Sequence, residues 1–199
     1  MDFFDKSNPQ GHLEIWKHYP DGSKELHYED KNVICSGMGA TLSQMFDADP
    51  DVDVENFQMV YFRCGSGGTA GAQVSGTSDV VTPFNREQYG TGNLDMSIHN
   101  LIANGAKTTS KPFGRIPYGY IKRVTDTKCM WQIVLDEQTL NVGDATTDYP
   151  AGYINEIGLY SKNPFVEGTD ASMLCAYRFF KQIAKTDAFI LVFRWTIEF

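Results

Sequence analysis

The chain closes on a segment whose pattern leaves one structural solution. From Phe189 to Phe199, the residues Phe189, Leu191, Phe193, Trp195, Ile197 and Phe199 alternate with Ile190, Val192, Arg194, Thr196 and Glu198. Side chains on a β-strand point to opposite faces in turn, so a period of two specifies a strand with one apolar and one mixed face. A large apolar group gains roughly 1.5–3 kcal/mol on leaving water. Chain ends normally fray, but six such groups outweigh the ordering entropy and predict a buried terminal strand.

At 199 residues the chain is long enough to bury a sizeable core. Aromatic residues make up 13% of it, a weight that suits sheets and interfaces better than helical bundles. With 25 acidic residues against 17 basic ones, the net charge of −8 argues against phosphate binding, which needs a dense positive surface. Lys107, Lys111, Arg115, Lys122 and Arg123 are too spread to form a nucleic-acid patch. The opening Met1-Asp2-Phe3-Phe4-Asp5-Lys6 lacks the apolar stretch of a secretory signal, and no run approaches 18 consecutive apolar residues. No membrane contact is expected. Cys35, Cys64, Cys129 and Cys175 form no C-x-x-C pair. They read as four buried thiols of a cytosol-assembled protein rather than as a zinc or redox motif.

Residues 1–10 read as an arm carrying Phe3 and Phe4, and 11–199 as a single domain. Gly11–Tyr19 and Lys24–Glu29 flank Pro20-Asp21-Gly22-Ser23, a hairpin signal. A two-residue Asp21-Gly22 turn would set Trp16 opposite His27 and His18 opposite Glu25. In Ser36–Phe46, Met38, Leu42, Met45 and Phe46 recur at helical spacing behind Ser36 as N-cap. Phe57–Cys64 has the content of a buried strand, and the glycines from Gly65 to Gly76 mark a long loop. Asp95–Ala103 is a second short helix or a loop ridge. Further strands fall at about 119–125, 128–136, 152–161, 172–180 and 188–199. This density predicts an all-β fold, an antiparallel β-sandwich of jelly-roll type with one or two short helices and long loops.

Chemistry is far less legible. The acidic loop Asp47–Asp53 starts like a calcium loop, but Val52 replaces the glycine and Gln58 the glutamate that an EF-hand needs. His12 and His18 share a strand face about 20 Å apart, too far for one zinc, and His27 and His99 suggest no partner. The glycine-rich run at Gly65–Gly71 lacks the lysine of a P-loop, and Ser66 has the wrong spacing for a nucleophile elbow. No catalytic residue, metal ligand or cofactor is assigned, and a non-enzymatic role is expected. Glu156 stands alone in the apolar strand Tyr153–Tyr160 and needs a buried partner, for which Arg178 and Arg194 are candidates. Trp195 and Phe199 complete the set of structural residues. Exposed Tyr118, Tyr120 and Trp131 would instead suit a sugar-binding surface, since rings stack on sugar faces.

The closing quarter resembles the terminal β-region of virion structural proteins of tailed bacteriophages. The likeness rests on Ile154-Asn155-Glu156-Ile157-Gly158-Leu159-Tyr160, Leu174-Cys175-Ala176-Tyr177-Arg178-Phe179-Phe180, Ile183-Ala184-Lys185-Thr186 and Phe193-Arg194-Trp195-Thr196-Ile197-Glu198-Phe199. Asp79–Gly90, with Thr82-Pro83-Phe84-Asn85, is similar to such proteins as well. The resemblance implies a homo-oligomer in the neck, collar, tail or baseplate, contacting other virion proteins after assembly in the host cytoplasm.

Overall fold

The computed structural model describes residues 9–46, 57–65, 114–138, 141, 153–161 and 173–199. The first eight residues of the expected arm, the acidic loop at 47–53, the glycine-rich run beyond Gly65, the segment 95–103 and His99 lie outside them. Nine strands fall within the described residues: β1 (Gln10–His18), β2 (Lys24–Ile34), β3 (Tyr61–Gly65), β4 (Gly114–Arg115), β5 (Ile121–Arg123), β6 (Lys128–Leu135), β7 (Tyr153–Ser161), β8 (Met173–Ala184) and β9 (Ile190–Glu198). Helix α1 (Ser36–Phe46) follows β2, and a 3-10 turn at Tyr118–Tyr120 precedes β5. The strands form one sheet in the order β4-β3-β7-β8-β2-β1-β9-β6-β5, with every pairing antiparallel.

The terminal strand sits inside this sheet, between β1 and β6. Leu13, Trp195 and Trp131 share one row across the three strands, and Ile15, Phe193 and Ile133 the next. Leu191, Phe193, Trp195 and Ile197 are fully buried, as the alternation predicts. Phe199 departs from the expectation. It follows the strand and is 38% exposed, while its backbone N–H donates to the Thr127 carbonyl at 2.8 Å.

The β1–β2 hairpin corrects the expected register. Tyr19 N–H donates to Ser23 O at 3.0 Å and Gly22 N–H to Tyr19 O at 3.0 Å, so the loop has three residues, Pro20, Asp21 and Gly22. Gly22 closes it at a φ of 84°, which glycine adopts without steric cost. The extra loop residue sets Trp16 opposite Leu26, Lys17 opposite Glu25 and His18 opposite Lys24. An irregularity between Ile15 and Trp16, at His27 on β2, absorbs the slip. Beyond it Ile15 faces Tyr28 and Gly11 faces Asn32, the register of the shorter turn.

Connectivity forces the sheet to curl. Its edge strands β4 and β5 are consecutive, and only Ile116–Tyr120 separates them. Eight inter-strand spacings in a flat nine-stranded sheet would hold the edges about 38 Å apart. The connection reaches about 22 Å at most. The edges therefore approach, and Ile121 of β5 packs against the buried cluster that holds Val60 and Tyr61 beside the other edge. One core forms inside the curl: Leu13, Ile133 and Trp195 from one half cluster with Phe62, Ile157, Leu159 and Phe180 from the other.

Helix α1 lies against β8 with Met38 and Thr41 buried. Gly37 permits this approach, since a Cβ there would stand 2.2 Å from the Leu174 carbonyl oxygen. Phe46, expected on the buried stripe, is 83% exposed instead. Truncating Trp195 to alanine should cost about 3–5 kcal/mol by chemical denaturation. Phe199→Ala should stay within about 0.5 kcal/mol of the parent. Equal losses at the two positions would contradict the placement of β9.

Candidate functional site

The structure resolves the expected Glu156 ion pair differently. Glu156 is fully buried, and the Tyr177 hydroxyl donates to its Oε2 at 2.6 Å. The β7–β8 register sets Arg178 opposite Ile157, on the sheet face away from Glu156. Arg178 donates to Asp30 Oδ2 and to the Tyr28 hydroxyl of β2. Arg194 lies on β9 in the other half of the sheet, 3.8 Å from Glu14 and over the Trp16 ring. Neither arginine meets Glu156. Both tie neighbouring strands together.

A buried cation that the sequence reading overlooked is Lys185, at the turn between β8 and β9. It is fully buried, donates to Asn141 Oδ1 at 3.0 Å and to Thr186 O at 2.7 Å, and sits over the Phe189 ring. Burial lowers its pKa, against the opposing pull of Asp136, Glu137 and Asp187. The Lys185-Thr186 pair thus holds a turn. None of the four cysteines forms a disulfide; Cys35, Cys64 and Cys175 are buried as expected, whereas Cys129 is only half-buried. Burial pushes the Cys64 and Cys175 thiols up in pKa, which keeps them protonated and unreactive.

On β1, His12 stands opposite Lys31 and His18 opposite Lys24, and His12 also has acidic neighbours. Its Nε2 lies 3.2 Å from Glu29 Oε1, and with Glu14 the three ligand atoms fall within 4.8 Å of one another. The register sets Glu14 directly opposite Glu29, so the pairing across β1 and β2 assembles the group. Histidine and carboxylates of this kind suit a divalent cation. Here Arg194 brings a positive charge beside Glu14, and Trp16 Nε1 donates to Glu14 Oε2 at 2.7 Å. His18 and His27 both have lowered pKa values, in each case chiefly through burial.

A pocket of about 330 Å³ lies between α1 and the closing seam of the sheet. Met38, Leu42 and Met45 of the helix form one wall, and Phe57, Met59, Val60, Ile121 and Trp131 the other. Tyr118 stands at the mouth, 59% exposed, with its hydroxyl accepting from Arg115 at 3.1 Å. Thr41 also lines the cavity, but its hydroxyl is shared with Ser161 of β7. Gln58 lines it as well, but its Oε1 is sealed from a water-sized probe and has no hydrogen-bond partner. Sequence reasoning missed this site because its walls come from four separated segments. The structure divides the expected sugar-stacking trio: Tyr118 and Tyr120 are exposed, whereas Trp131 is a core residue with 4% exposure.

Comparison of the chain with protein-family models, with curated proteins and with solved structures finds no match. Among the described residues, no helix is long and apolar enough to cross a membrane.

His27, at the hairpin irregularity, makes the stability of the fold depend on pH. Burial and the nearby Lys17 and Lys181 charges lower its pKa below 6.5, while Glu25 and a hydrogen bond with the Lys181 backbone oppose them. The unfolded chain then binds a proton more readily than the native one, so stability is complete above about pH 6.5 and falls as the pH drops below it. His27→Gln should flatten the fall in Tm between pH 7 and pH 5. An unchanged slope would remove His27 from the explanation.

Proposed function

We propose that this chain is a non-enzymatic structural component of a tailed-phage particle, assembling as a homo-oligomer at the neck, tail or baseplate. The observation that carries this reading is the phage-like closing sequence, whose segments form paired strands β7 and β8 and the central strand β9. They build the interior of the sheet, so the likeness concerns the framework of the fold rather than a surface decoration. In this reading the curled sheet, with its two halves sharing one core, is a jelly-roll-like β-sandwich. Leu26, Phe46, Tyr118, Tyr120 and Val124 are exposed apolar or aromatic groups, of the kind that interfaces between subunits cover.

A second reading, a sugar-binding surface, retains the support of Tyr118 and Tyr120, exposed on one turn and flanked by Arg115. It loses Trp131 to the core.

Two measurements test the leading reading: mass spectrometry of purified particles with copy number, and the solution mass of the isolated protein. The expected result is a multimer present in particles at a constant copy number. A strictly monomeric protein missing from particles would overturn it, and saturable binding on a glycan array would then favour the second reading.

A further inference from the structure

We propose that His12, Glu14 and Glu29 form a zinc site on the outer face of the sheet, where the ion clips β1 to β2. Leu13 and Ile15 are fully buried in the core, so the alternation of β1 turns His12 and Glu14 to the other face. Glu29 stands directly opposite Glu14 on β2. Two carboxylates facing each other across a ladder repel, a pairing that costs stability unless a cation lies between them. The backbone ladder also fixes all three residues in place, so no loop has to order around the ion.

The distances and the donor types fit zinc. Two donors about 2.1 Å from a tetrahedral zinc ion stand about 3.4 Å apart. His12 Nε2 lies 3.2 Å from Glu29 Oε1, and all three donor atoms fall within 4.8 Å of one another, so small side-chain rotations close the set. Trp16 Nε1 donates to Glu14 Oε2 at 2.7 Å, an outer contact of the kind that orients a metal-binding carboxylate. The imidazole selects zinc over magnesium and calcium, which take oxygen donors. Three protein donors leave the fourth position to water, as in an open zinc site. Arg194, 3.8 Å from Glu14, and Lys31, opposite His12, oppose the ion. Both are partly or fully open to solvent, and their long stems let the charged heads move off into water. The inference is independent of the virion reading, because it rests on these side chains alone.

Calorimetry of the full chain, freed of metal by a chelator and dialysed, tests it with zinc chloride. One zinc ion should bind per chain with a Kd at or below about 10 μM. His12→Gln and Glu29→Gln should each weaken binding by at least about tenfold, and Trp16→Phe by about tenfold. His18→Gln and Cys129→Ser, which remove a histidine and a thiol outside the group, should leave the affinity unchanged. Zinc should raise the Tm of the parent but not that of His12→Gln, and the metal-free melting curves check that each variant folds. Cobalt in place of zinc reads the donor set, since its tetrahedral visible absorption should appear in the parent and vanish in His12→Gln. Absence of saturable zinc binding, or equal affinities in the parent and in either His12→Gln or Glu29→Gln, overturns the inference.

Discussion

The shortness of the link between β4 and β5 constrains the architecture more than any single contact. These strands are the two edges of a nine-stranded sheet, and a connection of Ile116–Tyr120 cannot reach across it while it lies flat. Curling brings like faces together, so the apolar rows of β1, β9 and β6 meet those of β7 and β8 in one core. It also sets Ile121 of β5 against the buried cluster that holds Val60 and Tyr61. The cavity beside α1 is a product of the same closure, since its walls are the residues on either side of the seam.

Within that frame β9 joins the two segments that flank it, one from the start of the chain and one from its middle. Strands β1 and β6 meet only through β9. Its row partners are both aliphatic and aromatic, and the Phe180 and Phe193 rings, 6.0 Å apart, link it across the core to β8. The opposite face of the β7–β8 half buries Tyr160, Tyr177 and Phe179 together with Glu156, so these strands are covered on both sides. Such burial explains why Leu174–Phe180 reads as a nearly continuous apolar run rather than as an alternation. Arg178 interrupts that run, and it is accommodated because Tyr28 and Asp30 of β2 receive it.

Elements were legible in the sequence where one physical signal dominated. The strict period of β9, the 3.6-residue stripe of α1 and the Asp21-Gly22 turn each appear close to where the residues indicate. What failed was register. A single additional loop residue moved the pairs around Trp16 by one, and the bulge at His27 restored them, which no local pattern encodes. The same blindness to register misassigned Glu156. Spacing could offer it Arg178 or Arg194, but only pairing decides which face each side chain takes. Trp131 read as an exposed ring because its strand also carries polar residues, whereas the row with Trp195 and Leu13 buries it. The cavity and the His12–Glu14–Glu29 group were illegible for a related reason: both are assembled from segments that only the fold brings together.

The position of the chain end inside the sheet is best tested by removing it. Deleting Arg194–Phe199 takes away Trp195 and Ile197 and strips β1 and β6 of their shared partner over much of their length. Expression, light scattering and thermal melting of the shortened protein should then reveal aggregation or loss of the cooperative transition. A soluble product that melts at the temperature of the parent would contradict a central β9 and the core built around it.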